Sequence, residues 1–175
     1  MIFPALVKQL IALAQPFADV YADNKVLSIG TTMLHIGGLL AGGGLAIATD
    51  RAVLRATPLH GAAQRAVLED LASTHKLVVS AIGVSVVSGL LFLAADVKTF
   101  LTSPVYWVKM AGVLLLLVNG LRLWRAEGRL RKSMSMSASP EALPAAEWQA
   151  LRGGAITSLV LWFAVMALGV VLEGS

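Results

Sequence analysis

Polar residues in this chain are gathered between long apolar runs. Residues 26–49, 77–95 and 153–172 contain no Asp, Glu, Lys or Arg, and a fourth run, 105–123, carries only Lys109 and Arg122. Crossing roughly 30 Å of hydrocarbon takes about 20 residues at 1.5 Å each. A backbone in lipid has to satisfy its own hydrogen bonds, so each run is predicted to be a transmembrane helix. Regular alternation of apolar and polar positions, as the strands of an outer-membrane barrel need, is absent. The predicted fold is all-α: an integral membrane four-helix bundle over residues 26–175, preceded by a separate segment, 1–25.

In that first segment Phe3, Leu6, Val7, Leu10, Leu13 and Phe17 recur at helical spacing on one side, with Lys8 and Gln15 elsewhere. This predicts an amphipathic helix lying on the membrane interface, either as a simple anchor or as a lid over one mouth of the bundle. Lys8 and Gln9 interrupt the apolar core that a signal peptide requires. Thr57-Pro58 and Ser103-Pro104 each offer an N-cap followed by proline at the first helical position, so helices are expected to start there. Residues 133–144 (SMSMSASPEALP) read as a polar loop, whose Met134 and Met136 form a Met-x-Met pair of the kind that binds copper(I).

Composition strengthens the membrane reading. Of 175 residues 57% are hydrophobic and 14% charged, with mean hydropathy +0.78, whereas soluble domains are nearer half apolar and a quarter charged. The absence of cysteine excludes disulfides, thiolate metal sites and cysteine nucleophiles. The net charge of +4 would raise nucleic-acid binding in a soluble protein, but its distribution gives it another meaning. Arg51, Arg55, Arg65 and Lys76 occupy the first connection, and Arg122, Arg125, Arg129, Arg131, Lys132 and Arg152 the third. The opposite side has Lys8, Lys25 and Lys98. The bias predicts that connections one and three face the cytoplasm of a bacterium. Both termini then lie on the periplasmic side of the inner membrane. The expected partner is the lipid bilayer, with nucleic acid excluded.

Ionisable groups within a bilayer are costly and point to function. His35 lies nine residues into the first span, about 14 Å deep, beyond reach of either interface. Thr31, Gly38 and Gly42 are its helical neighbours. Glycines on one face admit either a flat body such as a haem, for which histidine is the commonest axial ligand, or another helix backbone. Lys109 enters the third span from the same side at similar depth. It either pairs with a ligand carboxylate, such as a haem propionate, or extends its ammonium to the interface. His75, at the other end of helix two, is too distant in depth to share an iron with His35, so it either serves a second metal site or faces the headgroups. His60 is expected in solvent. Asp50 and Arg51 close the first span, as an interfacial pair or with Arg51 on lipid phosphate. Asn119, Ser80, Ser85 and Ser88 are expected to hydrogen-bond between helices. Phosphate-binding loops, serine-hydrolase elbows and zinc-protease motifs are absent from the sequence.

The segment LHIGGLLAGGGLAIATDR, carrying His35, Gly37-Gly38, Gly44 and Asp50-Arg51, together with FLTSPVYWVKMAGVLLLLVNGLRL, carrying Phe100, Trp107 and Lys109, resembles a superfamily of small bacterial membrane proteins. That superfamily includes the copper-resistance D proteins and the HemJ-type protoporphyrinogen oxidases. The resemblance covers residues 30–125. It implies haem b binding by His35 and importance of Lys109 for activity, the latter from a lysine in a W-x-x-K-like segment. It also matches Arg51, sixteen residues after His35, to an arginine of the family. The chain departs from the HemJ pattern at His75-Lys76, where a Thr/Pro-rich entry is usual. Its lack of cysteine and of a periplasmic His/Met cluster weakens copper handling. The reading this implies is a b-type haem protein with His35 as axial ligand, Lys109 as propionate partner or second ligand, and Gly38, Gly42 and Arg51 around the site. It would transfer electrons to a membrane redox partner or oxidise a porphyrinogen. The competing class is a non-catalytic subunit of a larger membrane complex, in which His35 is a hydrogen-bonding residue and the glycines serve packing. A solute permease has the least support.

Overall fold

The computed structural model describes residues 3–57, 62–136 and 145–174, all helical apart from single-residue breaks and ends. The elements are α1 (Phe3–Asp23), α2 (Lys25–Ala56), α3 (Ala62–Ala95), the short α4 (Val97–Thr102), α5 (Pro104–Met136) and α6 (Ala145–Glu173). Four of them, α2, α3, α5 and α6, are long and apolar enough to cross a membrane. The chain is thus a multi-pass membrane protein in contact with lipid.

These helices overshoot the bilayer. A helix of 32 residues such as α2 is about 48 Å long, against roughly 30 Å of hydrocarbon. The surplus projects at the arginine-rich end, and there the helices bury a core of the kind water enforces. Val53, Ala56, Leu68, Leu130, Trp148 and Leu151 form its centre. Along the spans, by contrast, Leu40, Val79, Leu114 and Val160 are all more than half exposed. Lipid tails are as apolar as leucine, so no hydrophobic force draws such side chains inward, and the spans are joined by small residues and hydrogen bonds instead.

The seam between α2 and α3 shows this directly. A Cβ added at Gly38 would meet the Ser85 hydroxyl, would lie 2.9 Å from the Ala81 carbonyl oxygen, and would lie 3.1 Å from the Ser85 nitrogen. At Gly42 it would lie 3.2 Å from the Ala81 side chain. Gly43 likewise receives the face of Trp162 from α6, at 3.1 Å from a hypothetical Cβ. Between α5 and α6, the Asn119 side-chain amide donates to the Gly154 carbonyl at 2.9 Å. The bundle is therefore two antiparallel hairpins, α2–α3 and α5–α6, joined along α2 and α6. The fourth edge, α3 against α5, lacks comparable backbone packing and opens as a cleft.

Several local expectations change. Thr57 has helical dihedrals rather than the extended ones of an N-cap. It closes α2, with its N–H on the Val53 carbonyl at 3.1 Å; α3 is described from Ala62 onward, and the expected helix start at Pro58, like His60, lies outside the described residues. Ser103 does cap α5, accepting from the Tyr106 N–H at 3.4 Å. Helix α5 continues through Met136, so residues 133–136 of the expected loop are helical; residues 137–144 lie outside the described residues. Met134 packs against the buried core rather than waiting for a metal, and the Met136 side chain lies outside the described residues. Helix α1 packs on α3 and α4 while leaving Leu13 80% exposed.

The seam makes a test with an internal control. Gly38→Ala should destabilise the bundle by about 1–3 kcal/mol, the usual range for overpacking. Gly37→Ala and Gly44→Ala, which meet nothing within 4 Å, should be neutral or slightly stabilising. Unfolding in detergent micelles checks both.

Candidate functional site

Two polar centres lie along the bundle, one toward each end. In the first, the His35 ring leaves α2 and reaches α3, where Nδ1 sits 3.0 Å from the Ser85 carbonyl oxygen and 3.0 Å from Ser88 Oγ. A carbonyl only accepts, so Nδ1 carries the proton and Nε2 keeps its lone pair. The Ser88 hydroxyl donates onward to the Val84 carbonyl at 2.7 Å. Phe92 meets the ring edge-on, with centroids 5.3 Å apart. Gly89 lets the ring approach, since a Cβ there would stand 3.4 Å from His35 Cε1. Helix α5 brings Lys109 within electrostatic range of this ring. Its Nζ lies beside Gly169 of α6, four residues from the end of that helix. The two groups do share a level.

The glycines assigned to this centre do something else. Gly38 and Gly42 are occupied by Ser85 and Ala81 of α3, as the seam requires, and form no slot beside His35. Arg51, sixteen residues and about 24 Å further along α2, is exposed at the arginine-rich end and takes no part. His75 is ten residues, about 15 Å, along α3 from Ser85, so the two imidazoles do not meet. Among the described residues no three His, Asp or Glu side chains converge as a metal site.

The second centre is the cleft between α3 and α5, a cavity of about 420 Å³ floored by α2 and α6. Its walls are mostly Leu, Val and Ile, the lining expected of a small-molecule site. The polar groups are few. Thr49, Asp50 and Ser158 occupy the floor, Thr74 and His75 the α3 wall and Glu127 the α5 wall near the end. Trp124 of α5 lies nearly parallel to His75, at 15°, with centroids 6.3 Å apart. Glu127 is already paired with Arg131 at 2.9 Å, and the Arg131 guanidinium also donates to the Leu68 carbonyl, tying α5 to α3 below the cleft.

Asp50 is different. It is only 6% exposed, and it does not pair with Arg51, which turns outward. Ser158 hydrogen-bonds to the carboxyl, but Oδ2 has no partner. Leaving a buried acceptor unsatisfied costs about 1–3 kcal/mol, more for a charged one. Sequence reasoning placed Asp50 at the interface because Arg51 follows it and the apolar run ends there. The overlooked signal was helical phase: Asp50 is seven and eight residues after Gly43 and Gly42, hence on the face that packs inward.

No known protein family, curated protein or solved structure matches the chain.

A group kept for binding rather than folding should be dispensable for stability. Asp50→Leu is expected to leave the unfolding free energy unchanged or raise it by up to about 2 kcal/mol. A loss of that size instead would make the carboxyl a structural element.

Proposed function

We propose that this protein binds an amphipathic molecule taken from the bilayer, holding it in the cleft between α3 and α5. The observation that carries the reading is Asp50: a buried carboxyl with one unpartnered oxygen at the floor of an apolar cavity. In a membrane such a group is retained at a cost, and a ligand donor would remove that cost. The open α3–α5 edge supports entry from lipid, because apolar side chains there need no desolvation to let a tail pass. In this reading the protein is a binding module or accessory subunit. We also propose that the arginine-rich end faces the cytoplasm of a bacterial inner membrane, on the Lys/Arg bias, with α1 lying along the opposite interface.

A second reading, b-type haem ligation by His35, is favoured by one observation. Nδ1 is held by a carbonyl, the arrangement in which ligating histidines present Nε2 to a metal. Lys109 would then be the partner for a propionate, and the resemblance of residues 30–125 to the HemJ-type proteins points the same way. A bound haem would supply one-electron exchange at a potential set by its ligand and the dry surroundings. Against it, Gly38 and Gly42 are filled by α3, which fits His35 as a pin between helices, worth about 1 kcal/mol.

The two readings separate experimentally. Gly120 lines the cleft, and a Cβ there meets nothing within 4 Å. Gly120→Leu should therefore fill the cavity without unfolding the bundle. A bromoalkane should quench Trp124 and Trp162 in the native protein and lose at least ten-fold in apparent affinity in the variant. Equal quenching in both would refute the cleft. For the haem, protein expressed with ample haem should show a Soret band that shifts on dithionite reduction and vanishes in His35→Ala. A colourless native protein would remove that reading.

A further inference from the structure

The cleft has more shape than an apolar furrow. Its two walls present flat side chains to each other: His75 from α3 and Trp124 from α5, 15° from parallel and 6.3 Å between centroids. Both line the same cavity as Asp50. Helices α3 and α5 are not locked together by backbone packing at this level. The tie from Arg131 to the Leu68 carbonyl lies seven residues further along each helix. Trp124 is 53% exposed, so one of its faces is available.

From this we infer that the ligand of the cleft carries a planar aromatic headgroup bearing an O–H or N–H donor, attached to an aliphatic tail. The inference rests on the cleft reading above and names the class of ligand for that site. The ring lies against His75 and Trp124, where stacking suits a flat face. Its donor bonds Asp50 Oδ2, a buried floor atom without a partner. The tail leaves between α3 and α5 along Val78, Val79, Leu117 and Leu121. A purely aliphatic ligand would use neither the flat pair nor the carboxyl. A carboxylate headgroup would bring like charge to Asp50 and Glu127. Phenols, hydroquinones and aromatic amines with long chains fit all three features.

The test uses the full chain in lipid nanodiscs and 2-bromo-4-decylphenol, whose bromine quenches a tryptophan it touches. Its methyl ether, which has the ring but no donor, and n-decanol, which has a donor but no ring, compete against it. Binding of the phenol should be at least ten-fold tighter than that of either competitor. The preference over the ether should fall below three-fold in Asp50→Asn, and the preference over decanol should fall likewise in His75→Ala. Trp124→Phe should remove most of the quenching. If Asp50→Asn does not fold, the phenol-to-ether ratio on the native protein decides alone. Equal affinity for all three compounds overturns the ligand class while leaving the cleft in place. Quenching that is no greater in the native protein than in Gly120→Leu overturns both.

Discussion

A polar atom inside a bilayer has no water to fall back on, and the bundle is arranged around that constraint. Most of its intramembrane polar groups are answered within the protein. Thr31 donates to the Leu27 carbonyl at 2.9 Å, Ser88 to Val84, Asn119 to Gly154 and His35 to Ser85. Asp50 Oδ2 stands out because it is buried at the floor of a cavity and unanswered. Among the described residues, the other unpartnered buried side-chain atoms are Arg65 Nε and Ser85 Oγ. Of these, Ser85 lies under Gly38 in the α2–α3 seam, where packing already explains its position. Of the three residues, Asp50 is the one that lines the cleft.

Two different forces hold the rest. At the arginine-rich end, Leu68, Leu130 and Leu151 are fully buried, and the hydrophobic effect closes the four helices around them. Within the spans that effect is absent, so contact depends on glycine allowing one backbone to meet another. The α2–α3 and α2–α6 seams have such glycines in Gly38, Gly42 and Gly43. The α3–α5 edge lacks an equivalent seam, and its facing residues, such as Val79 and Leu117, are large and exposed. The cleft is thus the edge that neither force closes.

Much of this was legible in the residues. Lipid sets helix length and composition so strictly that four apolar runs predict four spans, and Ser103-Pro104 marks a true helix start. Gly38 and Gly42 were recognised as a close-approach surface, but a glycine face does not say whether a helix or a flat cofactor approaches it. His35 has no partner near it in sequence; its partners are fifty and fifty-three residues away on α3, and no local pattern names them. The cleft was illegible for the same reason, since it exists only where two hairpins fail to meet. For Asp50 two local signals conflict: its helical phase points inward, while the charge of Arg51 beside it points to an interface.

The central claim is that the cleft holds a molecule. Native mass spectrometry of the protein released from its own membrane tests it most directly. A single bound species, retained by the native chain and missing from Gly120→Leu, is the predicted result. A bare chain, or the same adducts in both proteins, would contradict it.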